Sequence, residues 1–203
     1  MRKTTRALVS AIAAAAVLAA GVGAATARIM SVSNQNFRWT WATLTFRRTG
    51  EISCALTMEG SFHARTFPKV VNSLLGYVTR VTGACNAATS IGNLPWHVQY
   101  RSFFGTLPRI ERMGVNIVGL WVLIREAATE CLYITTPGSP AVGTFNRDTT
   151  TGVLTGLRLE ETARIGLTMR LGGLFNCNEF LTLAGTAGVM LLGTTTAITL
   201  TLI

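Results

Sequence analysis

Apolar and polar residues alternate with a period of two along much of the chain. The alternation is cleanest over residues 52–63 and 164–171, where apolar side chains occupy nearly every second position. Because successive side chains of a strand point to opposite faces, each segment predicts a strand with one buried and one solvated face. Weaker alternation predicts further strands over residues 37–46, 75–81, 96–104 and 196–203.

Other stretches complete a predicted all-β chain. Residues 113–124 are apolar on both faces, which predicts a central strand covered on both sides, with Trp121 in the core. Only residues 68–75 suggest a helix, of two turns at most, with Pro68 in its first turn. Turn-forming glycine and proline residues separate the segments. The predicted fold is therefore an all-β, single-domain antiparallel sandwich or barrel with at most one short helix.

The first 27 residues have the features of an export signal in their usual order. Three basic residues among the first six precede an uncharged, Ala-rich run over residues 7–25, and Ala25-Thr26-Ala27 matches a cleavage site. We expect cleavage after Ala27, which leaves residues 28–203 as one β-rich domain that is secreted or held at the cell surface. A retained anchor is the alternative, since the apolar run approaches the roughly 20 residues that span a bilayer.

The cysteines all lie beyond the predicted cleavage site. Their number is even and an exported protein meets an oxidising environment, so two disulfides are expected. Three pairings are open; pairing neighbours in sequence closes the shorter loops and favours Cys54 with Cys85 and Cys131 with Cys177. A zinc site built from these thiolates is disfavoured because the sequence has no C-x-x-C pair.

Three segments carry a resemblance to known proteins. They are LLGYVTRV at residues 74–81, LPWHVQYRSFFGTLPRI at residues 94–110 and LLGTTTAITLTLI at residues 191–203. In these segments the chain resembles uncharacterised exported proteins of high-G+C soil actinobacteria. The resemblance implies export and a β fold, and it implies no catalytic residue.

Candidate catalytic residues are few, because the chain has two histidines and one aspartate. Glu59 and His63 share the polar face of one predicted strand, but four residues separate their backbones by about 13 Å. His97 lies on the polar face of another, so an extracellular hydrolase using His63 and His97 is one alternative function. Glu59 would be the third ligand of a zinc site with these histidines. The adjacent Glu160 and Glu161 suit a solvated turn better than a glycosidase pair.

The usual motifs of hydrolases and nucleotide-binding proteins are missing. The sequence contains neither the nucleophile elbow G-x-S-x-G nor the metalloprotease motif H-E-x-x-H, and its glycines lack the P-loop spacing. We therefore predict that the chain is not an enzyme, with no catalytic residue, no metal and no cofactor.

Positive charge suggests a partner instead. The net charge is +9, and it falls to about +6 once the three basic residues of the leader are removed. Arg38, Arg47 and Arg48 are the candidate polyanion contacts. Their aromatic neighbours, Trp39 and Trp41 among them, also suggest nucleic-acid binding as an alternative. However, two tryptophans on one strand face predict a buried core instead.

The predicted function is thus a secreted or cell-surface β-domain with a non-catalytic binding or structural role. Anionic polymers of the cell envelope or lipid head groups are the candidate partners, because net charge alone can attract them. An outer-membrane-type β-barrel is a further alternative, since the C-terminal residues 198–203 are strongly apolar and alternation also suits lipid-facing strands.

Overall fold

The computed structural model describes residues 29–47, 50–106, 109–126, 129–161, 164–171 and 177–203. The predicted signal peptide and Arg48 lie outside these residues. Strands and turns make up the described chain, with no helix in it, so no described helix could cross a membrane. The strands are β1 (Ile29–Val32), β2 (Asn36–Arg47), β3 (Glu51–Phe62), β4 (Thr66–Pro68), β5 (Leu74–Cys85), β6 (Thr89–Gly92), β7 (Trp96–Phe104), β8 (Arg112–Val118), β9 (Trp121–Glu126), β10 (Thr129–Ile134), β11 (Ala141–Arg147), β12 (Leu154–Leu159), β13 (Arg164–Leu171), β14 (Phe180–Leu191) and β15 (Leu200–Leu202).

Eight antiparallel strands close into a barrel. Their order is β2-β3-β5-β7-β8-β11-β12-β14, and β14 completes the ring by pairing with β12 on one side and β2 on the other. The all-β prediction is confirmed, and the structure decides between the two predicted architectures in favour of the barrel.

Alternation along the strands fills the barrel interior. In β2 the residues Phe37, Trp39 and Trp41 are buried, while Arg38 and Thr40 between them point outwards. The ring of Trp39 lies 5.6 Å from that of Phe145, which belongs to β11 across the barrel. An eight-stranded barrel is just wide enough for side chains to occupy its interior, and here aromatic rings do so.

Four long strands carry the sheet beyond the barrel. β2, β3, β5 and β14 have 12 residues each. The first residues of β14 pair with β13, and the sheet continues through β10 and β9 to β6. β6 comes back towards the second half of β5, from which it is separated by a cavity of about 170 Å³. We call β13, β10, β9 and β6 the extension.

A small sheet of β15, β1 and β4 covers the other end of the barrel. Its buried residues Met30, Val32, Phe67 and Leu200 belong to the same apolar core as the barrel interior. Phe67 stacks on Phe62 at the end of β3, with ring centroids 6.2 Å apart. The barrel is therefore occupied along its length and covered at the end away from the extension.

The two predicted disulfides are confirmed. Cys54 and Cys85 lie directly opposite each other on β3 and β5, 31 residues apart in sequence. Cys131 of β10 is bonded to Cys177, 46 residues later. No described cysteine is free.

Two sequence predictions were wrong. Residues 113–124 form two strands, because the chain turns at Gly119, whose φ of 87° suits glycine. As a result Trp121 is only half-buried, beside Gly92. Residues 68–75 form no helix: β4 ends at Pro68, and Asn72 has a left-handed φ of 65° that a helix cannot continue through.

Candidate ligand-binding surface

A row of polar side chains crosses four neighbouring strands on the outside of the barrel. Asn36 pairs with Ser61, Ser61 with Tyr77, and Tyr77 with His97, on β2, β3, β5 and β7 in turn. Their neighbours along each strand, such as Phe37 and Phe62, are buried, so the row faces outwards. Three inter-strand steps make it roughly 14 Å long.

A cavity of about 500 Å³ adjoins this row. The turn after β3 contributes His63 and Arg65, and the segment before β2 contributes Asn34 and Gln35. Gln35 holds the two segments together, because its Nε2 donates to the carbonyls of Phe62 (3.3 Å) and His63 (3.4 Å). The full lining is Asn34, Gln35, Asn36, Ser61, Phe62, His63, Arg65 and Tyr77.

The cavity presents side-chain groups that the protein itself leaves unused. Within the described part of the chain, the side chains of His63, Arg65 and Tyr77 make no hydrogen bond. The only contact of Tyr77 with another ring among those residues is with His97, edge-on at 5.3 Å between centroids. A guanidinium, an imidazole and a phenol therefore remain able to bind an incoming ligand.

Arginines surround the row. Arg38 lies two residues beyond Asn36 on the same face of β2, and it pairs in register with Glu59, which pairs with Arg80. Glu59 and Arg80 also form an ion pair at 3.3 Å. The guanidinium of Arg38 donates to the carbonyl of Thr194 at 2.9 Å, in the turn after β14. Arg38, Arg65 and Arg80 outnumber the one carboxylate of this region, Glu59. We call Asn36, Arg38, Ser61, Arg65, Tyr77, Arg80 and His97 the Tyr77 surface.

The structure separates the arginines that the sequence grouped. Arg47 is nine residues from Arg38, which places it roughly 30 Å away at the other end of β2. There it forms ion pairs with Glu51, at 3.5 Å, and with Glu161. The hydrogen bond from Arg47 to Glu161 raises the pKa of the guanidinium above its ordinary value. Of the two predicted polyanion contacts that the structure describes, Arg38 and Arg47, only Arg38 lies beside the polar row.

The histidines approach one region without forming a catalytic group. His63 and His97 lie on either side of β5, with Tyr77 between them. No carboxylate lines the cavity among the described residues, and Glu59 is engaged with Arg80. Three or more potential metal ligands do not cluster anywhere in the described chain.

Glu160 and Glu161 follow β12 and lie outside a strand, as the solvated-turn prediction requires. They line one cavity of about 460 Å³, but both interact with arginines. Glu160 lies 3.5 Å from Arg101 and accepts a hydrogen bond of 2.6 Å from Thr144, and Glu161 binds Arg47. These contacts neutralise both carboxylates, which disfavours the acid and base roles of a glycosidase.

The aromatic residues beside Arg38 and Arg47 are buried in the barrel. Trp39 is 0% and Trp41 1% exposed, and the core prediction for both is confirmed. Their rings are therefore inaccessible to bases, which removes the stacking platform on which the nucleic-acid reading depended.

Sequence reasoning missed Arg65, Tyr77, Asn34 and Gln35. Polar residues crowd the sequence at 33–36, but their partners on β3 and β5 lie 25 or more residues away. Only the register of the strands brings the two groups together. No family model, curated protein or solved structure matches the chain.

Proposed function

We propose that the protein is an exported, non-catalytic binding protein of the cell surface, whose Tyr77 surface holds an anionic polymer of the cell envelope. The observation that carries the proposal is the position of Arg65. It lines an open cavity beside His63 and Tyr77, and no described carboxylate shares that cavity. A guanidinium that lies among hydrogen-bonding side chains, with no described carboxylate in the same cavity, is suited to bind a carboxylate or phosphate.

An extended ligand fits the surface better than a compact one. The cavity is open, and the polar row continues past it across β5 to His97 on β7. Arg38 and Arg80 lie one outward position further along their strands. A chain of linked anionic units could place one group at Arg65 and others along the row, which adds contacts without a deep pocket.

Export is supported by two independent features. Residues 1–27 have the composition and cleavage pattern of a signal peptide. Both disulfides belong to the remainder of the chain, and disulfides persist in oxidising compartments.

The two alternative functions have less support. A transmembrane barrel presents an apolar belt to lipid and a polar interior. Here the interior is aromatic and aliphatic, while outward positions of the long strands carry residues such as Thr40, Thr57 and Thr82. A hydrolase using His63 and His97 would need a carboxylate to orient a histidine base. The described cavity lining supplies the hydroxyls of Ser61 and Tyr77 but no carboxylate.

Substitution of two arginines tests the proposal. We expect Arg38→Gln/Arg65→Gln to weaken binding to a soluble polyuronate or polyphosphate by about tenfold or more, because each lost charge-assisted contact contributes roughly 1 kcal/mol. Affinity would be measured by isothermal titration calorimetry at several salt concentrations. Binding of the unmodified protein should weaken as salt rises.

A charge-matched control separates this surface from net charge. Arg158→Gln/Arg164→Gln removes the same charge from exposed positions on β12 and β13, outside the four strands that carry the Tyr77 surface. It should bind the polymer almost as well as the unmodified protein. Equal losses in both double variants would show that net charge alone attracts the polymer, and no measurable binding by the unmodified protein would contradict the proposal.

A further inference from the structure

The turn between β4 and β5 carries two exposed valines. Val70 and Val71 are 58% and 61% exposed, the largest values among the large exposed apolar residues of the described chain. Turn positions favour glycine, proline, asparagine, aspartate and serine, for backbone and hydrogen-bonding reasons that valine does not satisfy. Local backbone preference therefore does not explain the pair.

Two backbone hydrogen bonds join the turn to the middle of β7. The amide of Asn72 donates to the carbonyl of Tyr100 (2.7 Å), and the amide of Tyr100 donates to Ser73 (2.8 Å). A cavity of about 350 Å³ between the two elements is lined by Pro68, Lys69, Val70 and Phe103. These contacts attach Asn72 and Ser73 to β7, next to the two exposed valines.

An exposed aromatic residue lies at the same end of β7, on the face opposite to Phe103. Phe104, the last residue of β7, is 42% exposed, and its neighbour Phe103 is half-buried at the edge of the core. We call Val70, Val71 and Phe104 the apolar tip. Single exposed apolar residues are ordinary, but several on adjoining elements suggest a contact surface.

Cationic groups lie directly over the aromatic rings. The Nζ atom of Lys69 is 4.9 Å from the centroid of Phe103, and the Cζ atom of Arg112 is 4.8 Å from that of Phe104. Arg109 is exposed on the loop between β7 and β8, and Glu111 is the acidic residue of that loop. Lys69, Arg109 and Arg112 thus outnumber Glu111 around the exposed apolar residues.

We propose that the apolar tip docks on a bilayer that contains anionic lipids. The valines and Phe104 would enter the boundary between head groups and acyl chains, where exposed apolar side chains lose contact with water. Lys69, Arg109 and Arg112 would remain at the level of the anionic head groups. The inference goes beyond the proposed function, because it rests on different residues and a different ligand.

Charge favours a bilayer over a second copy of the chain. If two copies met through this face about a two-fold axis, Lys69 and Arg112 of each would approach the same positive patch on the other. Like charges brought together in a partly desolvated contact are unfavourable. An anionic lipid surface instead complements both the apolar and the cationic parts of the patch.

Vesicle sedimentation tests the proposal with the disulfide-bonded full chain. We expect it to sediment with phosphatidylcholine vesicles that contain phosphatidylglycerol, and much less with phosphatidylcholine alone. Val70→Ser/Val71→Ser should weaken the apparent partition into the anionic vesicles by about tenfold, through the apolar area removed. The N-terminal apolar run, where retained, is common to all variants, so their comparison isolates the tip.

The matched control is Leu94→Ser/Phe180→Ser, which removes two exposed apolar side chains, just before β7 and at the beginning of β14. Both positions are far from the apolar tip, which lies at the end of β7. It should partition like the unmodified protein. In a second measurement, tryptophan emission of Val71→Trp should shift to the blue when anionic vesicles are added, relative to the unmodified protein. Unchanged emission, or equal losses of vesicle binding in both double variants, would overturn the proposal. It would also be overturned if the unmodified protein bound no vesicles but formed concentration-dependent dimers that Val70→Ser/Val71→Ser abolished.

Discussion

At the scale of single residues, glycine allows the strands beneath the Tyr77 surface to approach each other. A Cβ atom at Gly60 would lie 2.0 Å from the carbonyl oxygen of Tyr77 and 2.8 Å from the ring of Phe37. A Cβ atom at Gly76 would lie 2.3 Å from the carbonyl oxygen of Ser61. Real side chains do not tolerate such distances, so the position of Tyr77 beside Ser61 depends on these glycines.

We expect Gly60→Ala to lower the free energy of unfolding by about 1–3 kcal/mol, because the added methyl group must displace the backbone of β5 or the ring of Phe37. Chemical denaturation would measure the change. Gly50→Ala is the control, since a Cβ atom there meets nothing within 4 Å, and it should change stability little. Equal stability of both variants would mean that β5 moves away without cost.

The carboxylate of Asp148 organises the turn between β11 and β12. It accepts hydrogen bonds from the amides of Thr150 (2.9 Å) and Thr151 (2.7 Å) and from the Thr151 hydroxyl (3.0 Å). The hydrogen bonds from Thr151 are the main cause that lowers the pKa of Asp148 below its ordinary value. The ionised form is therefore stabilised by folding.

Asp148→Asn should consequently destabilise the protein in a pH-dependent way. The pKa is lower in the folded than in the unfolded chain, so the stabilisation is complete above the unfolded value of about 3.9. It should disappear as the pH falls through the lower folded pKa. Unfolding measured from neutral to acid pH should show the two proteins converging at low pH, and a constant difference would contradict the assignment.

At the scale of elements, the second half of β5 is weakly supported. Its first half pairs with both β3 and β7, whereas residues 79–85 have β3 as their only hydrogen-bonded neighbour among the described strands. The disulfide from Cys85 to Cys54 lies in that half. It ties the end of β5 to β3 where the sheet offers no second partner.

Cys54→Ser/Cys85→Ser should lower the free energy of unfolding by roughly 3–4 kcal/mol, the chain-entropy value for a loop of this length. The corresponding Cys131→Ser/Cys177→Ser variant should lose a similar amount. Denaturation under oxidising conditions, with the remaining disulfide intact, would measure both. If a variant is as stable as the unmodified protein, the disulfide that it lacks does not constrain the unfolded chain.

At the scale of the whole molecule, both proposed contacts lie in the same half of the barrel. The cavity of the Tyr77 surface is at the end of β3, and the valines of the apolar tip come just before β5. The end of β3 pairs with the start of β5, so the two regions lie at the same end of the barrel. The extension continues from the opposite ends of the long strands. In the proposed arrangement the barrel end meets the envelope and the extension points away from it.

Much of the fold could be predicted from local pattern. Alternation located β2 and β3 and put Trp39 and Trp41 in the core, because a half-buried strand needs one apolar face wherever it pairs. The turns at Gly119 and Asn72 were missed because apolar residues surround them, and periodicity alone does not distinguish a turn from a buried strand there. Closure of the sheet had no local signature.

The sequence by itself determined the strands with clear alternation, such as β2 and β3, their inward faces and the preference for neighbouring disulfides, since each follows from side chains close together along the chain. Only the tertiary structure decided that the sheet closes, that Arg65 lies beside Tyr77, and that Val70 lies beside Phe103. These relations depend on strand order and register between distant segments. A shift of one residue would turn every side chain of a strand to the other face, and the energy that fixes the register is shared by the whole packed barrel.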